Sequence, residues 1–247
     1  MVGWRVPRMW EDGECWIIGG GPSMPRMFGV PEDIMAKVML KELPLSAFSP
    51  YLSPIHEKHI IAVNAAFKLG RWIDVMFFGD GAYYWANKDA LMEFPNLKVT
   101  CNANLYKRPG VYYVKYVPRD GNHALGLTRN TSMISWNKHS GGAAISLANR
   151  LGARRIFLLG FDMMLSPTQR QHWHTEYSAV KKPRRNPQLP FPKHLESFTP
   201  IANNARAMGI EIYNVNRDEW TAVKQFPIIT LETALSMPKW KGKHEDE

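Results

Sequence analysis

Glu14-Cys15-Trp16-Ile17-Ile18-Gly19-Gly20-Gly21-Pro22-Ser23 decides how the rest of the chain reads. A short apolar run is cut off by three glycines and a proline. A run of that length with no polar alternation reads as a strand buried on both faces, as in a parallel sheet covered by helices. Six further runs repeat the pattern: His59 to Val63, Asp74 to Phe78, Leu97 to Cys101, Val111 to Val117, Arg155 to Leu159 and Ile210 to Val215. Between them lie helical stretches. In Gly141 to Leu151, Ala144, Leu147, Ala148 and Leu151 fall on one stripe and Gly152 supplies the stop. Glu196 to Met208 carries a similar stripe of Phe198, Ile201, Ala202 and Ala205, with Gly209 as the stop. Pro31 to Leu43 and Ala82 to Phe94 are weaker helices. Strand and helix in alternation predict a three-layer α/β domain with a mostly parallel, twisted sheet spanning residues 1–247.

The chain has 247 residues and is 45% hydrophobic, enough to bury a core without disulfides or metal. No apolar run approaches the 18 or so residues of a membrane span. The opening MVGWRVPRMWEDGE lacks the apolar region of a signal peptide. Cys15 and Cys101 lie in or beside strand-like runs and read as buried free thiols of a cytoplasmic protein. Lysine and arginine total 31 against 22 acidic residues, a net charge of +9. That excess favours an anionic small-molecule partner, although it also serves plain solubility. Zinc-finger spacing, RRM aromatics and a regular basic helix are absent from the sequence, which argues against a nucleic-acid partner. Trp4, Trp10, Trp220 and Trp240 near the ends either cover the sheet or pack on a second copy in a homo-oligomer.

Two stretches depart from the alternation. Lys41 to Lys58, with Pro44, Pro50 and Pro54, reads as an irregular loop. Residues 166–193 carry five prolines and the cations Arg170, Lys181, Lys182, Arg184, Arg185 and Lys193. Following a strand's carboxyl end, this segment reads as a basic lid over an anionic substrate. The charged end, 239–247, reads as a flexible tail.

The candidate site residues sit where strands end. Gly19, Gly20, Gly21, Pro22 and Ser23 either cradle a phosphate with free amides or make a tight turn. They match neither the Walker loop nor G-x-G-x-x-G. Asn64, Asp80 and Asp162 each follow a strand. Singly each is a turn or cap residue, but together they point to one cleft along the carboxyl edge. His172 and His174 flank Trp173, and His194 precedes a helix; these are the candidate acids and bases. No third ligand is spaced to make His-x-His a zinc site. His139, before Ser140-Gly141-Gly142, reads as a helix cap.

These motifs, in this order across about residues 14–215, resemble the bacterial sialyltransferase, motility accessory factor and methanopterin-pathway pyrophosphokinase group, which has short phage-encoded members. The resemblance is carried by Ile17 to Met24, Ala62-Val63-Asn64-Ala65-Ala66-Phe67, Asp74 to Asp80, and Ser140-Gly141-Gly142 through Asp162. It implies a Rossmann-like domain binding a nucleotide-activated donor, a CMP-sugar in the sialyltransferases. The glycine turn and Asn64 would touch the nucleotide, with Ser140 and Gly141 in the same pocket. His194 would be the base of an inverting displacement that requires no cofactor. Gly20 stands where the sialyltransferases have Asn, Ala65 where they have Gln, and Met164 where they have a phosphate-binding Tyr. Asp80 is closer to the pyrophosphokinases. That side of the group implies the alternative, transfer of diphosphate from ATP with magnesium at Asp80 and Asp162. A non-catalytic nucleotide-binding protein is the third possibility.

Overall fold

The computed structural model describes residues 2–117, 125–177 and 189–240. Its strands are β1 (Glu14–Ile18), β2 (Ile60–Val63), β3 (Val75–Phe78), β4 (Leu97–Thr100), β5 (Tyr112–Tyr113), β6 (Lys115–Tyr116), β7 (Met133–Ile134), β8 (Arg155–Leu159), β9 (Glu211–Val215) and β10 (Ile228–Ile229). Eight form one sheet in the order β10-β9-β8-β1-β2-β3-β4-β5. Every pairing in it is parallel. β6 and β7 make a separate parallel pair. The expected α/β architecture with a parallel sheet is therefore the observed one.

The helices are α1 (Ser23–Met27), α2 (Glu32–Met39), α3 (Gly81–Ala86), α4 (Lys88–Glu93), α5 (Ser140–Leu151), α6 (Phe191–Leu195), α7 (Phe198–Ala207) and α8 (Leu231–Ser236). The central strands β1, β2, β3 and β8 are apolar but for Glu14 and Arg155, because each face buries against its own layer. Trp16, Ile18, Phe78 and Phe157 enter one core with Met24 of α1, Met35 of α2 and Phe48. Cys15, Ile17, Phe77 and Leu158 enter the other with α5 and α7. α5 buries all but its first residues and its polar Arg150. It ends at Gly152 in the left-handed region, φ +109°, as the sequence predicts.

Several boundaries differ. The predicted helix from Ala82 to Phe94 is two, broken at Asn87. The one from Glu196 begins at Phe198, with α6 a separate turn before it. The run from Val111 to Val117 splits between the main sheet and the small one. The supposed loop at Lys41 to Lys58 holds a 3-10 segment, Leu45–Ile55, that buries Leu45, Phe48, Leu52 and Ile55. Prolines remove amide donors, but this tighter, locally turned backbone accommodates Pro50 and Pro54 while aligning those side chains. Both cysteines are buried and free, and burial pushes the Cys101 thiol up to about 12. Three terminal tryptophans pack on this chain: Trp4 on Tyr112, Trp10 on His59 and Trp240 under the Arg155 guanidinium. No helix among the described residues is long and apolar enough to cross a membrane.

β1 is the switch point of the sheet. The chain leaves it toward β2 on one side, and β8 joins it from the other. The turns after β1 and β8 lie in contact. Gly19 donates its amide to Leu159 O at 2.8 Å, and Gly21 donates to Gly160 O at 2.9 Å. A Cβ on Gly21 would stand 2.6 Å from both Gly160 O and the Asp162 Cγ. The glycine at 21 thus serves the close approach of two turns. We expect Gly21→Ala to cost about 1–3 kcal/mol of stability, the usual range for overpacking a tight site. A denaturation midpoint equal to that of the unaltered chain would contradict it.

Candidate functional site

The strand-end residues divide into two groups. Ser23 and Asp162 belong to the first. The Asp162 carboxylate accepts the Ser23 amide at 2.8 Å on Oδ2, and on Oδ1 it accepts the Ser23 hydroxyl and the Asn216 side-chain amide, the latter at 3.0 Å. With 4% exposure it is buried, and burial pushes its carboxyl up to about 6 against the pull of those hydrogen bonds. It is a tie between β1, β8 and the end of β9. Of the two readings of the glycine turn, a phosphate cradle and a tight turn, the tight turn accounts for three of its amides. The amides of Gly19, Gly21 and Ser23 are spent on the turn after β8, and Met24 donates to Gly21 O. Pro22 has no amide to offer.

An open cavity of about 250 Å³ lies beside this tie. It is lined by Ser23, Arg26, Asp162, Gln169, Glu219 and Trp220 among others. That volume falls just below the roughly 300–1,000 Å³ of typical small-molecule sites. A smaller pocket shares Pro22, Arg26 and Ser166 with it and adds Thr168, Arg170 and His172. Arg26, Glu219 and Trp220 carried no local motif, so only their convergence reveals them.

Gly20, Asn64 and Asp80 form the second group, around segment 172–177. Trp173 donates its amide to Gly20 O at 3.1 Å and its indole N–H to Gly19 O at 2.9 Å. His172 and His174 stack in parallel, 5.4 Å between ring centroids. A Cβ on Gly20 would stand 2.9 Å from His172 Nδ1 and 3.6 Å from His174 Nε2. The histidine pair therefore fills the space that a side chain at position 20 would take. Residues 172–177 of the expected lid are thus a packed strap, whereas residues 167–170, Leu189, Pro192 and Lys193 of it are exposed. Lys181, Lys182, Arg184 and Arg185 lie outside the described residues. So do 241–247 of the expected tail.

Asn64 sits at the end of β2 in the left-handed region, φ +52°. Its Nδ2 donates to the Tyr177 hydroxyl at 2.6 Å. Its Oδ1 is buried and has no partner among the described residues, and the same holds for the Tyr83 hydroxyl. Tyr83 and Tyr177 lie 6.1 Å apart by ring centroid, and Lys68 pairs with Glu176 at the rim. An unpaired buried acceptor costs about 1–3 kcal/mol, which a bound donor group would return. Asp80 faces Tyr177 electrostatically but spends Oδ1 on capping α3 through the Ala82 amide at 2.8 Å. The Asp80 and Asp162 carboxylates, expected as a magnesium pair, are thus engaged separately. Among the described residues no cluster of three or more potential metal ligands occurs.

The histidines occupy two places. Burial, then His172 and Lys68, holds His174 well below the usual imidazole range, which suits it poorly to accepting a proton. His194 lies in α6 and stacks on His139 at 4.8 Å. His139 caps α5, its Nδ1 accepting the Gly142 amide at 3.1 Å, as the sequence predicts. Burial and the neighbouring His194 push His139 down to about 3. Ser140 and Gly141 open the same helix. A Cβ on Gly79 would meet the Ser140 hydroxyl at 3.3 Å, and one on Gly141 would meet Phe161 at 2.9 Å. The head of α5 therefore abuts the ends of β3 and β8.

No protein-family model matches the chain, and no curated protein matches it in sequence. Solved structures do. The MAf glycosyltransferase from Magnetospirillum magneticum AMB-1 superposes with a TM-score of 0.53 at 12% identity, over 94% of this chain and 35% of that one. The sialyltransferase CstII from Campylobacter jejuni in complex with CMP gives 0.46 at 11%, over 89% and 86%. The monofunctional α-2,3-sialyltransferase Cst-I from the same organism gives 0.48 at 14%, over 95% and 86%. The chain shares the Rossmann-like fold of the MAf glycosyltransferase, and the resemblance seen in its motifs holds at the level of fold.

Asp162 makes stability depend on pH. Its folded value of about 6 lies above the ordinary 3.8. Between those values the folded chain keeps a proton that the unfolded chain has lost, so stability falls as pH rises through that window. We expect the chain to lose about 2 kcal/mol relative to Asp162→Asn between pH 4 and pH 7. Parallel melting curves with a pH-independent gap would refute the shift.

Proposed function

We propose that the protein is a glycosyltransferase-like enzyme that moves a sugar from a nucleotide-activated, CMP-sugar-type donor to an acceptor hydroxyl. The observation that carries this is Asn64. Its buried Oδ1 is unpaired at a strand's carboxyl end, on strained backbone, beside the switch point where open α/β sheets take their ligands. A ribose or sugar hydroxyl supplies the donor that this oxygen lacks. The fold shared with a glycosyltransferase supports the same reading.

In the proposed reaction the acceptor hydroxyl attacks the anomeric carbon and forms a new C–O bond. The bond from that carbon to the phosphate oxygen breaks, and the nucleotide leaves with its electron pair. The acceptor proton passes to His194, the base at the head of α5. Stacking on His139, which stays neutral, places no second positive charge beside the imidazolium that forms. Arg170 and Lys193 are the described cations of the lid segment that would oppose charge on the leaving phosphate.

We expect Asn64→Ala to weaken CMP binding about tenfold to a hundredfold, the equivalent of one hydrogen bond to a buried acceptor. Unchanged affinity by calorimetry removes Asn64 from the site. His194→Ala is expected to abolish sugar transfer while leaving CMP affinity intact; undiminished transfer removes it from the mechanism. In a thermal-shift screen, CMP or a CMP-sugar should stabilise the fold without added metal. Stabilisation only by ATP with magnesium would favour diphosphate transfer instead.

A further inference from the structure

Segment 172–177 covers Gly20 and Asn64 closely, so the open volume at this edge lies one strand away, between the turn after β1 and the segment after β9. Its lining has an unusual composition for a surface cleft. Trp220 offers an aromatic ring, with the Arg217 guanidinium covering it 4.7 Å from the ring centroid. Glu219, its neighbour in the chain, is exposed and also lines the cavity. Arg26 lines the same cavity and acts electrostatically on Asp162. Its pairing with Glu32 is long, 3.7 Å, and largely exposed on the Glu32 side, which leaves the guanidinium available to a stronger partner. The adjoining small pocket continues from Arg26 to Thr168, Arg170 and His172. An aromatic platform and a carboxylate at one end, joined through one arginine to a second arginine at the other, match a flat ring bearing an amine and carrying a phosphate.

We propose that this cavity holds the nucleotide half of the donor: the base against Trp220, its exocyclic amine on Glu219, and the phosphate between Arg26 and Arg170. The assignment rests on the donor reading above and adds to it the residues that hold the nucleotide and read its base. Cytosine presents an amine to the Glu219 carboxylate. Uracil presents a carbonyl oxygen at the same place and is repelled by it, so the site selects by an unfavourable contact as well as a favourable one. The ribose, between base and phosphate, is the part of CMP that offers a hydroxyl to Asn64.

The test is calorimetry of the full chain with CMP, UMP and inorganic phosphate. Trp220→Ala should weaken CMP binding about tenfold or more, as loss of base stacking does elsewhere, and Trp220→Phe should retain most of the affinity. Glu219→Gln should shrink the preference for CMP over UMP about tenfold or more, since the penalty on the wrong ring edge disappears. Arg26→Ala should weaken CMP and phosphate alike. Full-strength CMP binding by Trp220→Ala and an unchanged preference in Glu219→Gln would overturn this assignment. If Asn64→Ala still weakened CMP in that case, the donor reading would survive without it. An unaltered chain that binds no CMP would overturn both. Equal melting temperatures among the variants exclude misfolding as the cause of any loss.

Discussion

Asp162 receives the Ser23 amide, the Ser23 hydroxyl and the Asn216 amide on one buried carboxylate. Three segments that are far apart in sequence meet there: the turn after β1, the turn after β8 and the end of β9. Taking a carboxylate out of water is costly, and only dense hydrogen bonding offsets it. The glycines at 19, 21 and 160 let the backbones approach closely enough to provide it. The walls of the neighbouring cavity, Ser23 with Arg26 on one side and Trp220 on the other, hang from that tie.

The opposite side of the same edge is organised by a tryptophan. Trp173 is buried, with 4% exposure, and both its N–H groups bond to carbonyls of the glycine turn. It thereby fixes the histidines on either side of it over Gly20, and Tyr177 over Asn64. Gly20 is the complement of this strap. A larger residue there would collide with His172, so the missing side chain and the histidine pair form a single arrangement. Beneath the strap the buried oxygens of Asn64 and Tyr83 lack partners among the described residues.

The motifs mark the ends of strands well and the roles of their residues less well. Asp80 illustrates the difference: it follows an apolar run and reads as a site residue with Asn64 and Asp162, yet it caps α3, while His139 caps α5 as its place before a helix predicts. A cap and a ligand use the same chemistry, an acceptor beside a free amide, so local sequence cannot separate them. Asp162 reads as a free carboxylate until Ser23 and Asn216 are placed around it. Tyr177 carries no motif at all, because its contact with Asn64 spans 113 residues.

Apolar runs ended by glycine, and helical stripes ended by Gly152 and Gly209, were enough to set the layers and the parallel sheet. Burial on two faces imposes that pattern residue by residue, and it survives without any knowledge of neighbours. The strand order, the tie at Asp162, the strap over Gly20 and the location of the open cavity were decided only in three dimensions. Each depends on which distant segments are brought within hydrogen-bonding reach, and a carboxylate, an amide or an indole is compatible with many partners until packing selects one.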